Sequence, residues 1–396
     1  MIWPALQVQE FCKTGSGGTP STHKKDLYYG GHIPWVKSGE LKDDVLLSTE
    51  ETLTDLGLAE SSAKWVPVGS ILIAMYGATV GKTALLGIDA TTNQAVCNVI
   101  PNPDVAHNRY LWYALRTSVP KFLARRVGGA QPNISQKIIR ETAFPIPAIS
   151  EQRRIVEILD QADALRKKRF EADAKAARIL PALFYKMFGD PATNPRSSVK
   201  MKLGDLVKVR SGNFLPAKNM DTEGQFPVYG GNGINGHHSE YMFEQPVIVI
   251  GRVGVYCGAV HFSEPKCWVT DNALYVAEKS DDLHPQYLAE ALRVANLNQY
   301  AGRAGQPLIS WSRIYPVEIL VPPIEDQEKF GRRIVSLQQY EKRRKDAGHH
   351  VDDLFSVLLH RAFTGNLTAK WREAHMKELL QEMEQQSKAP KVGVEP

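Results

Sequence analysis

Cysteine is scarce. The four cysteines among 396 residues (Cys12, Cys97, Cys257 and Cys267) form no CxxC pair and no metal-ligand spacing. That excludes a disulfide framework or a zinc ribbon and points to reduced thiols in a cytoplasmic protein. Long apolar runs are missing too: none approaches the ~20 residues of a membrane span, so no membrane partner is expected. The N-terminus lacks the charged start, apolar stretch and cleavage site of a signal peptide. Charge of one sign does not dominate, since 48 Lys and Arg against 43 Asp and Glu leave a net +5. That balance permits a basic face. Catalytic signatures are also absent. The chain has no HExxH or GxSxG, and no Asn/Asp-Pro-Pro-aromatic motif. The expectation is a chain that does no bond chemistry alone, with no catalytic residue, metal or cofactor of its own.

Glycine and proline are plentiful, at 30 and 24 residues. One glycine cluster, "MYGATVGKTAL", follows the apolar run "SILIA" and imitates a phosphate-binding loop. A P-loop needs four residues between its first glycine and Gly-Lys-Ser/Thr, and then a helix. Gly77 and Gly81 enclose only Ala78, Thr79 and Val80, and "TALLGID" reads as a strand. A hairpin turn is therefore expected. Nucleotide binding at Gly81-Lys82-Thr83 stays as an alternative, as does a coiled-coil scaffold that binds no nucleic acid.

The chain repeats itself. "HNRYLWYALR" (107–116) and "HPQYLAEALR" (284–293) agree at six of ten positions, at an offset of 177. "GGAQPNIS" and "RAGQPLIS" share Gln-Pro-x-Ile-Ser at an offset of 175, which also carries Ile149-Ser-Glu-Gln152 onto Ile324-Glu-Asp-Gln327. Ser16-Gly17 pairs with Ser211-Gly212, and Gly77-x3-Gly81 is matched to Gly251-x2-Gly254. A period this long means two homologous halves rather than a solenoid. Each half has a turn-rich β region followed by an uninterrupted helical stretch, 151–188 and 326–363, after a proline-rich step. Ser150 is the expected N-cap of the first.

Both stretches carry a 3,4 apolar spacing. The predicted seam holds Ile155, Ile158, Ala162, Leu165, Ile179 and Leu183 in the first. In the second it holds Phe330, Leu337, Tyr340, Val351, Leu354 and Leu358. Seams of this length are costly to leave in water, so the two helices are expected to pair as an antiparallel coiled coil. The fold class expected is α+β: two repeated mixed α/β domains joined by two long helices.

Loops rich in Gly, Asn, Gln, Ser, Arg and aromatics differ between the halves while the framing motifs agree. Asn and Gln can read adenine, Arg and Lys can read guanine, and glycines let backbone approach phosphate. Side-chain chemistry makes Trp35, Lys37, Tyr229, Asn232, His237 and Arg252 candidate DNA contacts, with Thr79 and Lys82 on the hairpin edge.

The repeated "GAQPNIS"/"GQPLIS" loop, the helix starts "FPIPAISEQRRIVEILDQADAL" and "ILVPPIEDQEKFGRRI", the opening "SGGTPS", and the segments "LFYKMFGD" and "LLHRAFTGNL" resemble the specificity subunits of type I restriction–modification systems. The resemblance spans residues ~1–370. It implies two target-recognition domains (1–149 and 191–324), two conserved spacer helices (150–190 and 325–372), and here a further tail (373–396), read as a frayed helix and then disorder. It implies that each domain reads one half of an asymmetric bipartite site on double-stranded DNA. Gln131, Asn133, Ser135, Gln306 and Ser310 would then be DNA-proximal, together with Ser16, Gly17, Arg210 and Arg303. It implies partners as well: two modification (methyltransferase) subunits and restriction/motor subunits. Those subunits would bring S-adenosylmethionine, ATP and Mg, for N6-adenine methylation and restriction.

Overall fold

The computed structural model describes residues 3–124, 133–221, 224–302 and 307–389. Gln131, Arg303 and Gln306 lie outside the described residues. The chain divides into two compact units that do not follow chain order: Met1–Lys168 with His349–Pro396, and Arg169–Gly348.

In the first unit, strand Val96–Pro101 lies between Cys12–Ser16 and Ile71–Ala74, with Thr83–Leu86 and Asp44–Leu46 continuing the sheet. Tyr29–Val36 and Ala90–Thr92 are the inner strands of a second, four-stranded sheet. The second unit repeats the arrangement. Ala273–Lys279 lies between Val207–Ser211 and Ile248–Gly251, with Val260–Phe262 outside, and a three-stranded sheet sits beside it. The apolar runs "ILIA" and "IVIG" are buried at every position, as expected for strands covered on both faces. The helices Asn108–Ala124 and Pro285–Val294 bear on these sheets, with Tyr110 and Tyr287 fully buried. Each tyrosine hydroxyl donates to a strand carbonyl, Pro145 at 2.7 Å and Leu320 at 2.9 Å.

A paired glutamine explains why the helix starts are duplicated. Gln152 accepts the His107 N–H at 2.7 Å and donates to the carbonyls of Val105 and Pro147 at 2.9 and 2.8 Å. Gln327 accepts the His284 N–H at 2.9 Å and donates to the carbonyls of Asp282 and Pro322, both at 2.8 Å. Both side chains are fully buried, and each bonds three backbone groups.

The long helices are Ile149–Ala176, continued by Ile179–Phe188, and Ile324–Phe363. Within the first unit, Arg166 bonds Asp352 at 2.8 Å while Glu151 meets Thr368 at 2.6 Å, so the segments run antiparallel. Within the second, Arg344 meets Asp173 at 3.1 Å and Arg333 meets Met187 at 3.5 Å, again antiparallel. The seam differs in phase from the expected one. Ile155, Ala162, Phe330, Leu337, Val351 and Leu358 face inward or lie half-buried. Leu165, Ile179, Tyr340 and Leu354 are exposed, at 52, 48, 69 and 52%. The intervening inward positions are instead Leu159, Arg166, Asp173 and Leu180, matched by Ile334, Glu341, Gly348 and Phe355. Ile158 and Leu183 are half-buried. The physical reason is the glutamine clamp: with Gln152 and Gln327 held inward, the stripe steps to 155 and 159, and to 330 and 334.

Two further expectations fail. Ser150 lies inside its helix, where its N–H donates to Glu382 at 2.9 Å instead of capping. The tail is not frayed over its described part: Met376–Ser387 is helical and docks on the first unit. There Glu151, 1% exposed, receives Arg372 Nε at 2.8 Å, Thr368 Oγ1 at 2.6 Å and Trp3 Nε1 at 3.1 Å. Gln386 adds a bond to the Val105 carbonyl at 2.7 Å.

Candidate nucleic-acid interface

Three repeated motifs, far apart in sequence, converge in each unit. The first is the Ser-Gly step at the end of an outer strand. A Cβ on Gly17 would lie 1.8 Å from the Thr92 carbonyl oxygen, and one on Gly212 would lie 2.3 Å from that of Thr270, so glycine is required at both. Ser16 is thereby left exposed at the sheet edge, and Ser211 half-buried.

The second motif is a turn, and the structure corrects its alignment. In the first unit Val80 N–H donates to Gly77, Gly81 to Ala74 and Lys82 to Thr79. In the second, Cys257 donates to Gly254, Gly258 to Gly251 and Ala259 to Tyr256. Gly77-x3-Gly81 therefore corresponds to Gly254-x3-Gly258, all four glycines at positive φ between 79° and 87°. The offset is 177, as for the His107 and His284 motifs, which sequence inspection could have exploited. It follows that Lys82 matches Ala259 and that Arg252 matches Met75, so Arg252 is not the counterpart of the hairpin-edge lysine.

The third motif follows the Gln-Pro pair. Ile134 N–H donates to Met75 at 2.7 Å and Ile309 N–H to Arg252 at 2.9 Å, which holds this segment against the turn. Asn133 and Ser135 are exposed, and Ser135 Oγ caps the helix Gln136–Arg140 through the Ile138 N–H at 3.3 Å. Ser310 is half-buried, with its hydroxyl 2.8 Å from that of Ser312. Arg252 is half-buried, its Nη1 held by Ser211 Oγ at 3.1 Å and the Asp271 carbonyl at 3.4 Å.

The remaining candidates separate into free and engaged side chains. Arg210 is exposed, 3.8 Å from Glu278. Asn232 is exposed at a hairpin tip, His237 is half-buried in the adjoining strand, and Thr79 is half-buried on its turn. Trp35 is a correction. It is 4% exposed, donates to the Gly18 carbonyl at 3.0 Å and packs edge-on against Tyr29, so it is core. Tyr229 is a correction for the same reason: it is 5% exposed, and its hydroxyl accepts the Glu264 N–H at 3.1 Å. Lys37 is engaged by Glu50 and Glu51, both at 3.2 Å. Sequence inspection passed over Ala78, Val255 and Tyr256, which stand exposed on the two turns.

The phosphate-loop alternative does not survive the geometry. Thr83 opens the strand Thr83–Leu86, antiparallel to Ile71–Ala74, so no helix follows the glycines. Lys82 Nζ lies 2.8 Å from Asp43, and the buried Thr83 hydroxyl donates to Asp43 while accepting from Trp112 Nε1, both at 3.0 Å. Burial works against ionisation of Asp43, but its bonds to Lys82 and Thr83 prevail and hold the carboxyl below its ordinary value. All four cysteines are buried, and burial pushes the Cys97 thiol up to about 12. Among the described residues no group of His, Cys, Asp and Glu is placed to hold a metal ion. No helix among them is long and apolar enough to cross a membrane.

A fold of two repeated units, each bringing the same three motifs together, defines a protein built of two homologous domains. The type I restriction modification DNA specificity domain matches residues 3–172 and again 195–346, and the chain belongs to that family as a specificity subunit with two repeated recognition domains. It is 25% identical over 341 residues to the EcoprrI specificity subunit of Escherichia coli, covering 81% of this chain and 84% of that one. The EcoKI specificity subunit of Escherichia coli strain K12 is 24% identical over 394 residues, covering 86 and 84%. Among solved structures, an S subunit from M. genitalium superposes with a TM-score of 0.58 at 17% identity, covering 91% of this chain and 96% of that one, a likeness of fold.

Proposed function

We propose that each unit of this specificity subunit reads one half of an asymmetric, bipartite site on double-stranded DNA, and that the chain performs no chemistry itself. The observation that carries the reading is the repeated frame. Ser-Gly step, Gly-x3-Gly turn and post-proline segment recur in both units, the turn and the post-proline segment with the same backbone bonds, yet present different exposed side chains: Ser16, Ala78 and Asn133 in one, Arg210, Val255 and Tyr256 in the other. An invariant backbone frame with variable tips suits two readers of different half-sites.

Two modification subunits, bringing S-adenosylmethionine, and ATP- and Mg-dependent restriction/motor subunits complete the complex in this reading, which acts in the cytoplasm. The helices serve as the spacer and as the docking surface for the modification subunits. Exposed apolar side chains support that role: Leu165, Leu354 and Val357 in the first unit, Phe170, Ile179 and Tyr340 in the second. The test is methylation mapping of cells with and without the gene. A bipartite adenine-methylated motif should vanish on deletion, and exchanging residues 1–149 for those of another specificity subunit should change one half-site only. Retention of the motif without the gene would end the reading.

A further inference from the structure

The Gly254–Gly258 turn is built to hold one apolar side chain out in water. Its ring of backbone bonds joins Gly251 to Ala259 and Gly258 to Gly251, both at 2.8 Å, and Cys257 to Gly254 at 3.0 Å. Gly254 N–H is tied to the Pro307 carbonyl at 3.0 Å, and Asn298 Nδ2 to the Cys257 carbonyl at 2.8 Å. A Cβ on Gly258 would stand 2.4 Å from the Asn298 backbone nitrogen, so the close approach that anchors the turn needs glycine. Cys257 points inward, 1% exposed, whereas Val255 is 87% exposed, more than any other large apolar side chain among the described residues. Tyr256, beside it, is 52% exposed. In the first unit the same frame carries the smaller Ala78 at this position.

From this geometry we infer that Val255 is a specificity-determining residue which packs against the C5-methyl group of a thymine in the half-site read by the second unit. A valine side chain has no donor or acceptor, so of the groups on base edges in the major groove only the thymine methyl offers it a contact. Arg252, which opens the same segment and bonds Ser211, puts a cation on the same motif and favours a polyanionic partner over an apolar protein surface. A rigid turn loses little conformational freedom on contact, so the gain from burying the methyl group is retained. The inference rests on the half-site reading above.

The experiment uses the full chain assembled with its modification subunits and duplexes carrying the mapped site. Each thymine of the second half-site is replaced in turn by deoxyuridine, which removes the methyl group alone. At one position the substitution should weaken binding by the wild-type complex by ~4-fold, the worth of one buried carbon. Val255→Ala should bind the thymine duplex more weakly and be indifferent to deoxyuridine there. Val255 is exposed, so the variant folds. If selective binding persists but no deoxyuridine position matters, or if Val255→Ala weakens all duplexes equally as a lost wedge would, the inference is overturned and the half-site reading stands. If the wild-type complex does not discriminate the site from unrelated duplexes, the half-site reading itself is lost.

Discussion

At the scale of single residues, the buried amide of Gln327 does more than its position in a helix suggests. Replacing it with leucine strips partners from one N–H and two carbonyls, and should cost about 2–4 kcal/mol in denaturant unfolding. Gln152→Leu should cost less, because Gln386 also donates to the carbonyls of Val105 and Pro147. Asp43 gives a pH-dependent prediction. Its folded pKa is depressed, so its contribution is complete above the ordinary carboxylate range and is lost as pH falls through the folded value. Thermal melting between about pH 6 and about pH 3 should show a smaller acid loss in Asp43→Asn than in the wild type, since only the wild type has this contribution to lose. Equal acid sensitivity would refute the assignment.

At the scale of elements, the two long helices show how a correct period can carry a wrong phase. The apolar residues at 165, 179, 340 and 354 satisfy a 3,4 spacing as well as their neighbours do, because a heptad read from sequence fixes spacing better than the facing edge. The inward edge was decided by Gln152 and Gln327, whose partners lie some 45 residues earlier in the chain. Leu159→Ala should therefore cost about 2–5 kcal/mol, and Leu165→Ala under about 1, in equilibrium unfolding. A larger cost at Leu165 would restore the first phase. The glycine turn teaches the same lesson. Order along the strand suggests Gly251 and Gly254, but the x3 spacing and the hydrogen bonds pair Gly254 and Gly258 with Gly77 and Gly81.

At the scale of the whole molecule, the last described residues of the chain complete the unit formed by the first. Glu151 is buried and ionisable, and Arg372 is its charged partner at 2.8 Å. Arg372→Ala leaves a buried carboxylate without its countercharge and should cost about 3–5 kcal/mol. Limited proteolysis should then cut the first unit sooner and the second at its normal rate; unchanged protection of the first unit would show that the clasp carries no stability.

Much of the architecture is written locally. The offset repeats, the alternation of short strands with glycine turns, the proline-stepped helix starts and the absence of catalytic motifs all follow from residue order, because each depends on near neighbours. They suffice for two homologous halves, paired helices and the family. Tertiary structure decided what depends on distant partners. Trp35 and Tyr229 carry base-reading chemistry but are spent on the Gly18 carbonyl and the Glu264 N–H. Lys82 carries a free charge in sequence and an aspartate in space. Val255 is an ordinary apolar residue until a ring of backbone bonds turns it outward. Burial and hydrogen-bond partnership are properties of contacts between remote segments, and only folding assigns them.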